Sequence, residues 1–168
     1  MFKNILGNMF KKQSENKKNY PLVYSVGAYM DKNEVIILNP LAKHEVGYSS
    51  SNSKFLLVEP PYTLEEITDK LEETFAICEK EPKWTEGMGE NFWEAATGIK
   101  SYTTFCKNRI YLGVSKHVDE GYYRFSAHKK YRSSGYLGTK NDPDFTVPIL
   151  STKSMIGEIF LKAFSFCK

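Results

Sequence analysis

The residues able to do chemistry are scattered through this chain without a catalytic spacing. His44, His117 and His128 stand far apart. None lies in an HExxH or HxH pattern that would put two ligands on one face. Unpartnered by spacing, they read as solvated loop histidines. The three cysteines, Cys78, Cys106 and Cys167, form no CxxC pair. Their odd number, with two at the ends of helix-like runs, reads as reduced, buried thiols. A Cys–His nucleophile would need Cys106 beside a histidine, and the Lys107-Asn108 turn after it carries no such signature. The phosphate loop GxxxxGK[ST] is absent. Gly87-Met88-Gly89 is too short for a dinucleotide fingerprint. The expectation is no catalytic residue, no metal, no cofactor and no enzyme.

Two charged constellations remain. Residues 59–94 hold eleven acids against three lysines, whereas residues 95–168 hold twelve bases against five acids. The overall charge of +3 therefore hides an acidic and a basic half. The acids Glu65, Glu66, Asp69, Glu72 and Glu73 fall on one helical face, crowded at i, i+3 and i+4. Such crowding costs stability, and a general acid would instead need a desolvated site. The face reads as a solvated surface, or as one whose repulsion a basic partner relieves. The second constellation is the run HKKYRSSGY at 128–136. It sets Tyr131 and Tyr136 beside Lys129, Lys130 and Arg132, the composition of a nucleic-acid contact. Trp84 and Trp93 lie between the halves as possible aromatic anchors.

The elements that must position these groups are legible in the pattern. Strand signals run over Leu22–Tyr29, Glu34–Leu38, a short Val46–Tyr48 and Phe55–Val58, with turn chemistry at Asp31-Lys32-Asn33. Thr63 with Glu66 makes a capping box, and Leu64, Ile67, Leu71, Phe75 and Cys78 form the buried stripe of a helix. A short helix is expected at Asn91–Thr97. Further strands are expected at Ser101–Phe105, Arg109–Val114, Tyr122–Ser126 and Phe145–Ile149. A second helix, with a broader apolar face, is expected from Lys153 to Phe166 under a Thr152 or Ser151 cap. Residues 1–20 form a basic arm with Phe2, Ile5, Leu6, Met9 and Phe10 on one helical face.

The plan occurs twice. Aligning Cys78 with Cys167 places Phe75 on Phe164, Leu71 on Phe160 and Ile67 on Ile156. One inserted residue brings Phe55 onto Phe145, and DKNEVIIL at 31–38 matches CKNRIYLG at 106–113. The expected fold is a single α+β domain over 21–168. Its two related halves, about 22–78 and 100–167, each have antiparallel strands followed by a helix. With no secretory signal pattern and no run of transmembrane length, the cytoplasm is the expected compartment. The sequence leaves the oligomeric state open.

The blocks KFLLVEPPYTLEEITDKLEETFAIC, NFWEAATGIKSYTTF and STKSMIGEIFLKAF, in this order, resemble contact-dependent growth inhibition (CDI) immunity proteins. The resemblance runs from about Tyr24 to Cys167. It implies a non-enzymatic inhibitor in the bacterial cytosol that binds the C-terminal toxin domain of a CdiA effector and blocks its active site. Many such toxins are nucleases, often RNases, whose surfaces are basic to hold phosphate. On that view Glu65, Glu66, Asp69, Glu72 and Glu73 would steer the encounter. Trp84, Trp93, Tyr131 and Tyr136 would supply anchors. The chain departs from the acidic overall charge common among inhibitors of basic nucleases. Either the acid acts locally, or the partner uses the basic half. The alternative reading is a nucleic-acid-binding module built on loop 128–136.

Overall fold

The computed structural model describes residues 21–132 and 135–168. The basic arm at 1–20 lies outside them. The elements are β1 (Val23–Asp31), β2 (Ile36–Lys43), β3 (Ser49–Ser51), β4 (Leu56–Val58), α1 (Leu64–Lys80), α2 (Phe92–Thr97), α3 (Tyr102–Lys107), β5 (Arg109–His117), β6 (Tyr122–Ala127), β7 (Lys129–Tyr131), β8 (Gly135–Leu137), β9 (Asp144–Pro148) and α4 (Lys153–Phe164). The main sheet is antiparallel in the order β3-β2-β1-β5-β6-β9, with β4 also on β2, and β7-β8 forms a separate hairpin. This is a single α+β domain of two related halves.

The relation between the halves is visible in the central pairing. Strands β1 and β5 each have nine residues. They pair from end to end, with Gly27 opposite Gly113 at the middle. β2 and then β4 lie outside β1, while β6 and then β9 lie outside β5. Helices α1 and α4 follow β4 and β9 and pack together on one face of the sheet. The arrangement has the form of an approximate twofold through the Gly27–Gly113 pair. Ile67, Leu71, Phe75 and Cys78 share one core with Ile156, Phe160, Phe164 and Cys167, as the aligned helices require. All three cysteines are buried and free. Burial pushes the thiols of Cys78 and Cys167 up to about 11.

Thr63 Oγ1 accepts the Glu66 amide at 3.1 Å and Glu66 Oε2 accepts the Thr63 amide at 2.6 Å, so the capping box that starts α1 is real. Thr152 caps α4 by accepting the Met155 amide at 3.3 Å. α4 buries five of twelve residues against six of seventeen in α1, in keeping with its broader apolar face. The helices touch at Gly157, where a Cβ would stand 2.3 Å from the carbonyl oxygen of Leu64. Thr68 Oγ1 donates to the Lys153 carbonyl at 2.7 Å across the same crossing.

Four local expectations are corrected. Ser101–Phe105 is not a strand: Ser101 Oγ accepts the Thr104 amide, and Tyr102, Phe105 and Cys106 bury at i, i+3 and i+4 as helix α3. Cap and spacing outweigh the strand preference of the Thr103-Thr104 pair. Val46–Tyr48 is a turn closed by His44 N–H to Tyr48 O at 2.8 Å, and the short strand begins at Ser49. Phe55 and Phe145 are not equivalent. Phe55 packs in a second cluster on the far face of the sheet, whereas Leu56 and Phe145 pack beneath the helices. The strand that corresponds to β2 is β6, not the 106–113 run, because each is the second strand of its half and pairs with the strand before the helix. Both returning strands follow a residue of positive φ, Glu34 at 62° and Gly121 at 76°.

Candidate binding trough on the open sheet face

One face of the sheet is sealed by α1 and α4. The other is covered only in part, by a cluster of Tyr29, Ile37, Phe92, Phe105 and Cys106 under α2 and α3. Strand alternation decides what the rest of that face presents. In β1, Val26 and Ala28 turn to the helices while Ser25 and Gly27 turn away. In β5, Leu112 and Val114 turn inward while Gly113 and Ser115 turn away. Gly27 lies under the Tyr111 ring, whereas Ser25, Gly113 and Ser115 leave the floor beside it low. A depression of about 210 Å³ lies over Ser25, Leu41, Gly113, Ser115 and Ser126.

It continues at both ends. Leu41 and Tyr111 lead into a space of about 420 Å³ bounded by Ser49–Ser51, Trp84 and Met88. Ser126 and His128 lead into one of about 550 Å³ bounded by Arg124, Lys140, Asp142 and Asp144. Together they form a trough across β2, β1, β5 and β6.

Its two rims differ. On the first, His44 is sandwiched between Tyr48 and Trp84, with ring centroids 4.0 and 4.3 Å away. The Trp84 amide donates to Lys43 O and Lys43 N–H donates to Pro82 O, both at 2.9 Å, which fastens the connector to β2. Asn39 donates to the carbonyls of Asn52 and Lys54 at 2.7 and 2.9 Å and ties down the loop carrying Ser49–Ser51. The second rim is charged. Arg124 pairs with Asp144, and Lys129 Nζ lies 3.1 Å from Asp142 Oδ1. The Thr139 amide and then Lys129 hold Asp142 below the usual carboxylate value. Partial burial pushes Asp144 up, but its bonds to Arg124 and Ser126 win and leave it lowered. Burial lowers His128, whose ring sits edge-on to Tyr111 at 4.9 Å.

The histidines are thus not solvated, although His44 and His128 do lie between strands. All three are half-buried, and each ring meets a tyrosine: His44 on Tyr48, His117 on Tyr122 and His128 on Tyr111. Among the described residues no group of three or more His, Cys, Asp or Glu is arranged to hold a metal ion. Cys106 is buried, its thiol raised by desolvation, against Tyr102 and Tyr136. What the trough offers chemically is binding: hydroxyls, an approachable backbone and an aromatic rim.

The residues singled out from the sequence do not meet in one place. The five acids lie on α1, across the sheet from the trough. Four of them are engaged within the chain: Glu66 in the cap, Asp69 with Lys153 at 2.5 Å, Glu72 with Lys116 at 2.9 Å and Glu73 with Lys70 at 2.8 Å. Glu65 makes no such contact among the described residues. Trp93 packs on Tyr102 and donates its indole N–H to Lys100 O at 3.2 Å. Tyr136 stacks on Tyr111 and turns its hydroxyl to the carbonyls of Cys106 and Arg109. Both are bracing groups of the second cluster. Tyr131 is half-exposed on the hairpin with Arg132 over its ring, and Trp84 stands on the trough rim. Sequence reasoning missed the trough floor. Its signal was the alternation of small with apolar residues in YSVGAYM and LGVSKH.

No family model matches the sequence, and no curated protein matches it. Solved structures do. A protein of unknown function from Neisseria meningitidis shares the fold with a TM-score of 0.69 at 13% identity, over 89% of this chain and 98% of that one. A chain of a CdiA-CT/CdiI toxin and immunity complex from Yersinia pseudotuberculosis shares it with a TM-score of 0.64 at 10% identity, over 88% of this chain and 98% of that one.

Proposed function

We propose that this protein is an immunity protein that binds a CdiA C-terminal toxin domain and neutralises it stoichiometrically, without catalysis. The observation that carries the reading is the fold shared, over 88% of this chain, with a chain of a toxin and immunity complex. The trough supports it from the side of chemistry. A groove with a small-residue floor and an aromatic rim suits a protruding segment of a partner protein. Trp84 and Tyr48 are its anchors, and Tyr131 touches the partner only at the periphery. Glu65 and the paired acids of α1 act at longer range, on encounter rate. In this reading the toxin is a nuclease, an RNase by preference, its active site is covered in the complex, and the inhibitor works in the cytoplasm.

The test is co-expression with the C-terminal domain of a large exoprotein encoded beside this chain. Growth should be rescued by the intact chain. Failure of rescue, with both proteins present and folded, would sink the reading. The rival is nucleic-acid binding by loop 128–136, which the cations of the hairpin favour. It predicts tight, steeply salt-dependent binding of plain RNA, where the inhibitor reading predicts little.

A further inference from the structure

A second cavity lies apart from the trough, between α3 and the β7-β8 hairpin. It measures about 380 Å³, within the range of small-molecule sites. Lys107 comes from α3, Lys130 and Arg132 from the hairpin, and Thr103 and Thr104 add hydroxyls. The hairpin register places Lys130 opposite Tyr136. The Tyr136 hydroxyl reaches Cys106 O at 3.2 Å, and Lys130 Nζ donates to Lys107 O, so the strand that carries the cations is held against the helix. The neighbouring Lys129 turns the other way, to Asp142. Lys54, Lys70, Lys116, Arg124 and Lys153 each meet a carboxylate within 3 Å. Among the described residues Lys107, Lys130 and Arg132 meet none. Lysine and arginine bring only donors, so these three side chains add donors and charge without acceptors to a wall that is otherwise mostly apolar.

We infer that this cavity binds a phosphate ester of mononucleotide size. A phosphate dianion supplies acceptors alone and balances the cationic residues that line the cavity, and the cavity leaves space beside them for an attached group. The inference does not depend on the toxin reading, since it needs no protein partner.

The test is titration of the whole chain with inorganic phosphate, adenosine monophosphate, adenosine and an oligoglutamate peptide, followed at the amide resonances of Thr103, Thr104 and Lys107. Saturable shifts with phosphate and the monophosphate, weakened by salt and absent with adenosine, are expected. Lys107→Ala and Arg132→Ala should each weaken binding about tenfold, with circular dichroism unchanged. Arg132 lies in an exposed turn, so its variant remains informative if Lys107→Ala does not fold. No saturable shift with either phosphate compound would overturn the inference. So would equal binding of adenosine, or binding of the peptide alone.

Discussion

Trp84 shows how context changes the value of a residue. From sequence it is one of two tryptophans in a connector. In the fold it closes a stack on His44 and stands over the trough, while Trp93 is spent on bracing α2 against α3. If the trough is the toxin contact, Trp84→Ala should weaken the complex by about 2 kcal/mol, roughly thirtyfold. Trp93→Ala should act mainly through stability. Calorimetric titration of both variants would separate them, and equal affinity for Trp84→Ala and the intact chain would remove the trough as the contact. His128 supports a pH prediction. Burial holds it below its usual value of 6.5. Just below that pH the unfolded chain takes up a proton that the folded chain refuses, so stability rises with pH there. It is complete above about 6.5 and is lost as pH falls toward the lowered folded value. Asp142 and Asp144, lowered below 3.8, add stability that disappears only at more acid pH. Urea unfolding between about pH 7 and pH 5 should show this slope, and His128→Gln should flatten it. An unchanged slope in the variant would mean that another group titrates.

At the scale of elements, the two long helices, α1 and α4, are the most legible parts of the chain, because their signals are local. A capping box and a stripe at helical spacing are both written within α1. Thr63→Ala should cost about 1 kcal/mol, measured by thermal or urea unfolding. The strands were found in the right neighbourhoods, but their alignment was not. Phe55 looks like Phe145 by residue type, yet a shift of one position moves a side chain to the opposite face. Only the pairing of Leu38 with Leu56 and of Phe125 with Phe145 decides which face each takes. α3 departs from the expected strand because threonines favour strands only on average, while Ser101 and the spacing of Tyr102, Phe105 and Cys106 favour a helix here. Gly157 belongs to this scale too, since its reason lies on the other helix. Gly157→Ala would raise helix propensity but drive a Cβ against the Leu64 carbonyl. Net destabilisation of about 1–3 kcal/mol is expected. A variant more stable than the original would show that the crossing can open freely.

For the whole molecule, duplication supplies the scaffold and divergence supplies the surfaces. The halves share a core across the Gly27–Gly113 pair and differ in what they expose: acid on α1, a cationic hairpin after β6. The acid stripe that is plain in the sequence is largely balanced by Lys70, one turn away on the same helix, and by Lys116 and Lys153, which only the fold brings to it. The trough was invisible as a site because the serines and glycines of β1, β5 and β6 mean nothing until the strands are adjacent. Charge reversal is therefore best made at Glu65, where no cation of the chain is stranded. Glu65→Lys should slow association with a basic toxin a fewfold while leaving dissociation unchanged. The most direct measurement is to mix the intact chain with the purified toxin domain and follow mass by light scattering alongside toxin activity. The account predicts a one-to-one complex whose toxin activity falls to zero at equal molar amounts. Separate elution of the two proteins, with the toxin still fully active, would contradict it.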